Sequence, residues 1–236
     1  MEEKRPVHQG HRERVKKRFR EEGLDGFDEV HALELLLFFC IPRGDTNELA
    51  HALLDRFGSF AQVLDAPAEE LEKVPGIGEH ASAFLTLLTQ SFRYYLVNRN
   101  DFCSILTNTE ACGQFLLPYF IGRREELVYL LCLDSKCKVI CCKEIGRGNV
   151  NSAGISVRRI VETALAANAV SVVLSHNHPS GLAVPSHEDI LTTRRVAVAL
   201  DAVGIVLADH IVVAEEDFVS MADSNMYSPD ECRLIL

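Results

Sequence analysis

The chain has 236 residues, of which 47% are hydrophobic and 25% charged, and a formal charge of −10. That length suffices for two modest domains that each bury a core, and the acidic balance argues against a protein that coats nucleic acid over its whole surface. No apolar segment of signal-peptide type opens the chain, and no run approaches the roughly 18 uninterrupted apolar residues of a membrane span. The sequence therefore reads as cytoplasmic with no membrane partner, and its eight cysteines read as reduced thiols rather than a disulfide framework.

Residues 1–20 hold eight Lys or Arg against three Glu and read as a basic, solvated, flexible arm. From 21 to 99 the pattern is all-α. Apolar residues recur at spacings of three and four in HALELLLFF (31–39), NELAHALLDRF (47–57) and HASAFLTLLTQSF (80–92). Asp45 and Thr46 stand where a helix cap belongs, and Pro67 suits a first helical turn. The VPGIG stretch (74–78) separates two helices by a tight turn and resembles a helix-hairpin-helix, a family in which such a turn grips a DNA phosphate through backbone amides. That resemblance makes Gly76, Ile77 and Gly78 candidate nucleic-acid contacts. Glu79 and His80 follow the turn and PAEELEK precedes it, so any DNA contact is expected to be weak, salt-sensitive and indifferent to sequence.

NRNDFCS (98–104) breaks the helical period and reads as a linker, with a second domain over 100–236. ELVYLLCL and CKVICCKEI flank the polar turn DSK as a hairpin. A helix is expected after Ser156, with Val157, Ile160, Val161, Ala164 and Leu165 as its apolar stripe. VSVVLS (170–175) suits a strand buried on both faces, a helix is expected from about His187 to Val203, and IVLADHIVV forms a last strand. The succession predicts a mixed α/β domain. Cys132, Cys137, Cys141 and Cys142 lack the paired Cys-x-x-Cys spacing of a zinc knuckle and read as structural thiols.

The stretch SHNHPSGLAVPSHED (175–189) carries the chemistry. His176 and His178 alternate along an extended chain, so both imidazoles leave the same face at a strand's end, where they can share one ion. Asp189, beyond a turn and at a helix start, can fold back as a third, oxygen ligand. Two nitrogens and one carboxylate suit Zn2+ with a fourth position open to water. Ser186-x-x-Asp189 also reads as a capping-box helix start, which accounts for the serine and aspartate but not for two histidines on one face just upstream. The zincin His-Glu-x-x-His and the deaminase Pro-Cys-x-x-Cys are both absent.

His-x-His, seven residues, Ser-x-x-Asp is the signature of the JAMM (MPN-plus) metalloproteases, which this stretch resembles without a gap. With EIGRGNVNSAGIS, ALAANAVSVVLSHNHPSG, VGIVLADHIVV, GDTNELA and VPGIG, the chain resembles the RadC family over nearly its whole length. The resemblance implies a JAMM/MPN-like α/β (α+β) fold, a cytidine-deaminase-like mixed sheet flanked by helices, behind a small all-α domain. It implies one Zn2+ on His176, His178 and Asp189, Glu144 as general acid and base, and Ser186 as a donor to the oxyanion. The implied activity is hydrolysis of a peptide or isopeptide bond in a peptide or protein substrate. The alternatives are a DNA-associated repair factor, as the family's DNA repair label implies, and a non-catalytic scaffold.

Overall fold

Short polar side chains start three helices of the N-terminal region. In the computed structural model, which describes residues 10–99, 104–147, 156–179, 181–215 and 217–229, Asp28 accepts the His31 amide ahead of a helix over Glu29–Cys40. Asp45 accepts the Asn47 and Glu48 amides ahead of Thr46–Phe57, and Ser59 accepts that of Gln62 ahead of Phe60–Asp65. In chain order the helices are α1 (His11–Glu22), α2 (Glu29–Cys40), α3 (Thr46–Phe57), α4 (Phe60–Asp65), α5 (Ala68–Leu71) and α6 (Glu79–Arg99). The chain divides into two compact units between Phe92 and Arg93. The first buries Leu33, Leu37, Leu53, Val63, Leu71, Ile77 and Leu85 in one core.

The arm expected to be flexible is helical from His11 onward; residues 1–9 lie outside the described residues. α1 buries Val15 beside Leu35 and Phe38, and Arg12 donates to the carbonyls of Ile41 at 2.7 Å and Gly44 at 3.0 Å. Ion pairs of Lys17 with Glu21 and Arg18 with Glu22 line its outer face. A helix whose inner face buries a single apolar side chain looks in sequence like a solvated charge run.

In the second unit α7 (Thr109–Phe120) precedes a sheet of β1 (Leu127–Leu133), β2 (Val139–Arg147), β3 (Ser171–Asn177), β4 (Val206–Ala214) and β5 (Asp217–Ser220). α8 (Val157–Ala166) comes before β3, and α9 (His187–Asp201) joins β3 to β4. The strand order is β2-β1-β3-β4-β5. β1 runs antiparallel to both β2 and β3, β3 parallel to β4, and β4 antiparallel to β5. The unit has the mixed, helix-flanked sheet expected of it.

Each face of the sheet has its own core. Val128, Leu130, Val172 and Leu174 pack with Ile160 of α8 and Val196 and Leu200 of α9. Leu127, Tyr129, Leu131, Val173 and Ile211 pack with Phe115, Tyr119 and Phe120 of α7. Gly113 lets α7 approach β5, since a Cβ there would lie 2.3 Å from the Phe218 ring. The β1–β2 ladder shifts register between Val128, opposite Gly146, and Tyr129, opposite Glu144. This bulge at Ile145 decides which face each β2 side chain takes.

Candidate metal centre

β3 ends in Ser175-His176-Asn177, and alternation sends His176 to the face covered by α8 and α9. His176 is fully buried there and His178 is 15% exposed, so the pair opens to solvent on one side. α9 supplies the third group through its first turn. Ser186 accepts the Asp189 amide at 3.1 Å, and Asp189 Oδ2 accepts the Ser186 amide at 2.7 Å, a reciprocal capping box. His176 Nε2 then lies 3.0 Å from His178 Nε2 and 3.4 Å from Asp189 Oδ1, and His178 Nε2 lies 3.6 Å from Asp189 Oδ2.

These atoms fit a metal ion. Ligands held at 2.0–2.2 Å around a tetrahedral centre stand about 3.3 Å from one another, close to the separations found. The outer nitrogen of each ring is engaged elsewhere, His178 Nδ1 with the Leu182 carbonyl at 3.1 Å and His176 Nδ1 with His210 Nε2 at 2.8 Å. For His178 this settles the ring proton. A carbonyl can only accept, so the proton is on Nδ1 and the Nε2 lone pair faces inward. Among the described residues, His176, His178 and Asp189 are the only group of three or more His, Cys, Asp or Glu side chains placed to share an ion. Burial pushes the His176 imidazole down to about 4, against the pull of Asp189 and with help from His178. His210, wholly buried beside the two histidines, is held well below the usual histidine value. Both rings are therefore neutral near neutral pH, the form in which imidazole ligates.

Glu144 is not brought to this group. It stands opposite Tyr129, which stands opposite Ser175, and residues opposed across a sheet share a face. Glu144 therefore projects on the α7 side, away from His176. Its carboxylate accepts from Arg147 Nε at 2.7 Å and lies 3.5 Å from the Tyr129 hydroxyl. The structure therefore does not bring Glu144, expected as the proton shuttle, together with His176, His178 and Asp189. Glu126 is the carboxylate whose register matches. The β1–β3 ladder pairs Val128 with His176, and the same antiparallel progression, carried past the ends of both strands, would set Glu126 opposite His178.

Ser186 is beside the group, and its hydroxyl donates its single proton to Asp189 Oδ2 at 2.6 Å. Gly76, Ile77 and Gly78 belong to the first unit. Gly76 has φ of 95° and leaves no room for a Cβ against Leu49. The Ile77 side chain is buried in the helical core, and its amide donates to the Val74 carbonyl at 3.0 Å, which removes it as a phosphate donor. Cys132, Cys137, Cys141 and Cys142 are free thiols. Sequence reasoning missed His210 and its neighbour Thr193. The available signal was a histidine inside the apolar strand run IVLADHIVV, with nothing in the spacing to tie it to His176.

Residues 106–226 match the family model described as a RadC-like JAB domain. The chain belongs to that family. It is 34% identical over 230 residues to a UPF0758 protein of Fusobacterium nucleatum, covering 92% of this chain and 97% of the relative. A UPF0758 protein of Ruegeria pomeroyi is 35% identical over 205 residues, with 87% and 92% covered. One of Stenotrophomonas maltophilia is 33% identical over 231 residues, with 97% and 99% covered. The RadC-like JAB match runs from just before α7 to just past β5 and so contains the whole sheet and all three members of the metal group. No helix among the described residues is long and apolar enough to cross a membrane.

Proposed function

We propose that this RadC-like JAB protein is a zinc-dependent peptidase or isopeptidase. The observation that carries the reading is the convergence of two imidazole nitrogens and a carboxylate at 3.0–3.6 Å, buried on one side and open at His178. A zinc ion held by His176, His178 and Asp189 would supply a water of lowered pKa and a Lewis acid for the scissile carbonyl. Glu126, immediately before β1 and next on the His176 side in the β1–β3 progression, would take the proton of the attacking water and deliver it to the leaving amine. Ser186 holds Asp189 in place; turning its hydroxyl toward an oxyanion would cost the Asp189 hydrogen bond. The loop after His178 presents Leu182 and Val184, 67% and 63% exposed, an apolar rim suited to side chains of a polypeptide substrate.

The test compares wild type with E126Q in zinc content and in cleavage of a denatured, fluorescently labelled protein pool. The expected result is zinc retained and cleavage reduced by about a hundred- to ten-thousandfold. Wild-type protein loaded with zinc that cleaves neither peptide nor isopeptide bonds would overturn the reading.

A further inference from the structure

We infer that His210 is a positioning residue, which together with Thr193 fixes the tautomer of His176 so that its Nε2 lone pair faces the metal. This inference rests on the metal-site reading above and adds a residue to it.

One chain of hydrogen bonds links Asp189, Thr193, His210 and His176. Thr193 Oγ1 lies 2.6 Å from the backbone carbonyl of Asp189 and 2.6 Å from His210 Nδ1. Two oxygens at that separation need a proton between them, and a carbonyl has none to give. The one hydroxyl proton of Thr193 therefore points at Asp189, and His210 must supply its own proton on Nδ1. A second ring proton would put a charge on a side chain that is 1% exposed and that, among the described residues, has no acidic partner at its ring. His210 Nε2 is thus an acceptor. His176 Nδ1, 2.8 Å away, donates to it. The last proton on the His176 ring is then accounted for, and Nε2 is left bare toward His178 and Asp189. Were the chain reversed, His176 would carry its proton on Nε2, where it would exclude a metal.

The anchor of the chain is a backbone atom of Asp189, itself a member of the metal group, so the residue that contributes a carboxylate oxygen also dictates, through its carbonyl, the proton position on His176. Register supports the placement. β3 and β4 run parallel with Leu174 opposite His210, which puts His210 on the same face as His176 and within reach of α9. The neighbouring Asp209 faces the other way. Its carboxylate accepts from the Ser220 hydroxyl at 2.6 Å and the Ala222 amide at 3.0 Å, and so secures β4 to β5 instead of orienting the imidazole. Outer partners of metal-bound histidines typically change metal affinity by about 10- to 100-fold.

The experiment has two readouts, neither of which uses a substrate. Long-range 1H–15N correlation spectra of metal-free protein near neutral pH report the ring tautomers, and chelator competition gives zinc affinity for wild type, H210F, H210Q and T193V. His176 and His210 are expected as Nδ1–H tautomers in wild type. H210F, which keeps a ring but cannot accept, is expected to weaken zinc binding about 10- to 100-fold. H210Q, whose carbonyl oxygen can accept from His176 Nδ1, is expected to recover most of that loss. T193V is expected to let the Nε2–H form of His176 appear in the metal-free spectrum. An Nε2–H tautomer for His176 in wild type, wild-type zinc affinity in H210F, or H210Q as weak as H210F would each overturn the inference. Failure of the peptidase assay alone leaves the tautomer result standing, and a wrong tautomer leaves the peptidase assay to be judged by itself.

Discussion

Ser175 and His176 are neighbours in the chain and belong to opposite sides of the sheet. On the side of α8 and α9, β3 and β4 place His176 and His210 among Val172, Leu174 and Val196, and α9 brings Asp189 over them. On the side of α7, Ser175 lines up with Tyr129 and Glu144 under Tyr119 and Phe120. Both sides hold a carboxylate near the end of the sheet, Asp189 on one and Glu144 on the other, and only one of them meets a histidine. Proximity in sequence to a metal motif therefore says little about participation; the parity of the residue along its strand decides it.

The largest contrast between the sides is in metal content. H176A, H178A and D189A are each expected to take zinc from about one per chain to near zero by elemental analysis, whereas E144A keeps it. Zinc loss in E144A would put that carboxylate on the metal side. Next comes catalysis: E126Q is expected to lose about a hundred- to ten-thousandfold in rate, while E144Q stays within about twofold, because surface ion pairs such as that with Arg147 contribute little. Equal losses in the two variants would erase the distinction between the faces.

A smaller effect concerns pH. His176 is lowered from 6.5 to about 4 by burial, and His210 is lowered in the same direction. The unfolded chain then binds more protons than the folded one below the unfolded value. Metal-free protein should accordingly be most stable above about pH 6.5 and lose stability as pH falls toward 4, by at most about 1.4 kcal/mol per pH unit for each group. Thermal melts in buffers across that window measure it, and H176Q should flatten the profile. Smallest is the cap. S186A should lower stability by about 1 kcal/mol and weaken zinc binding modestly, both read from melts with and without added metal.

Much of the metal side was legible because its signals are local. His176 and His178 sit two apart at the end of an apolar run, and Ser186-x-x-Asp189 announces a helix start. The proposed general acid and base was not. The bulge at Ile145 shifts the alternation of β2 by one, and no residue type marks it, so counting along the strand cannot tell which face Glu144 takes. His210 was hidden for another reason: it meets the centre only through strand pairing, across 34 residues of chain from His176. α1 was missed because its buried face is a single valine.

The capping box gives Asp189 two engagements, Oδ2 with the Ser186 amide and hydroxyl and Oδ1 toward His176. The helix start is satisfied by the protein alone, so the ligand is held in place before any cation arrives. The centre is thus a ready-made socket, unlike sites in which metal and fold form together. Stripping the ion should leave α9 and its carboxylate where they are, and reloading should proceed at the pace of ion capture without refolding. The melting temperature should then rise with the logarithm of free metal once the dissociation constant is exceeded.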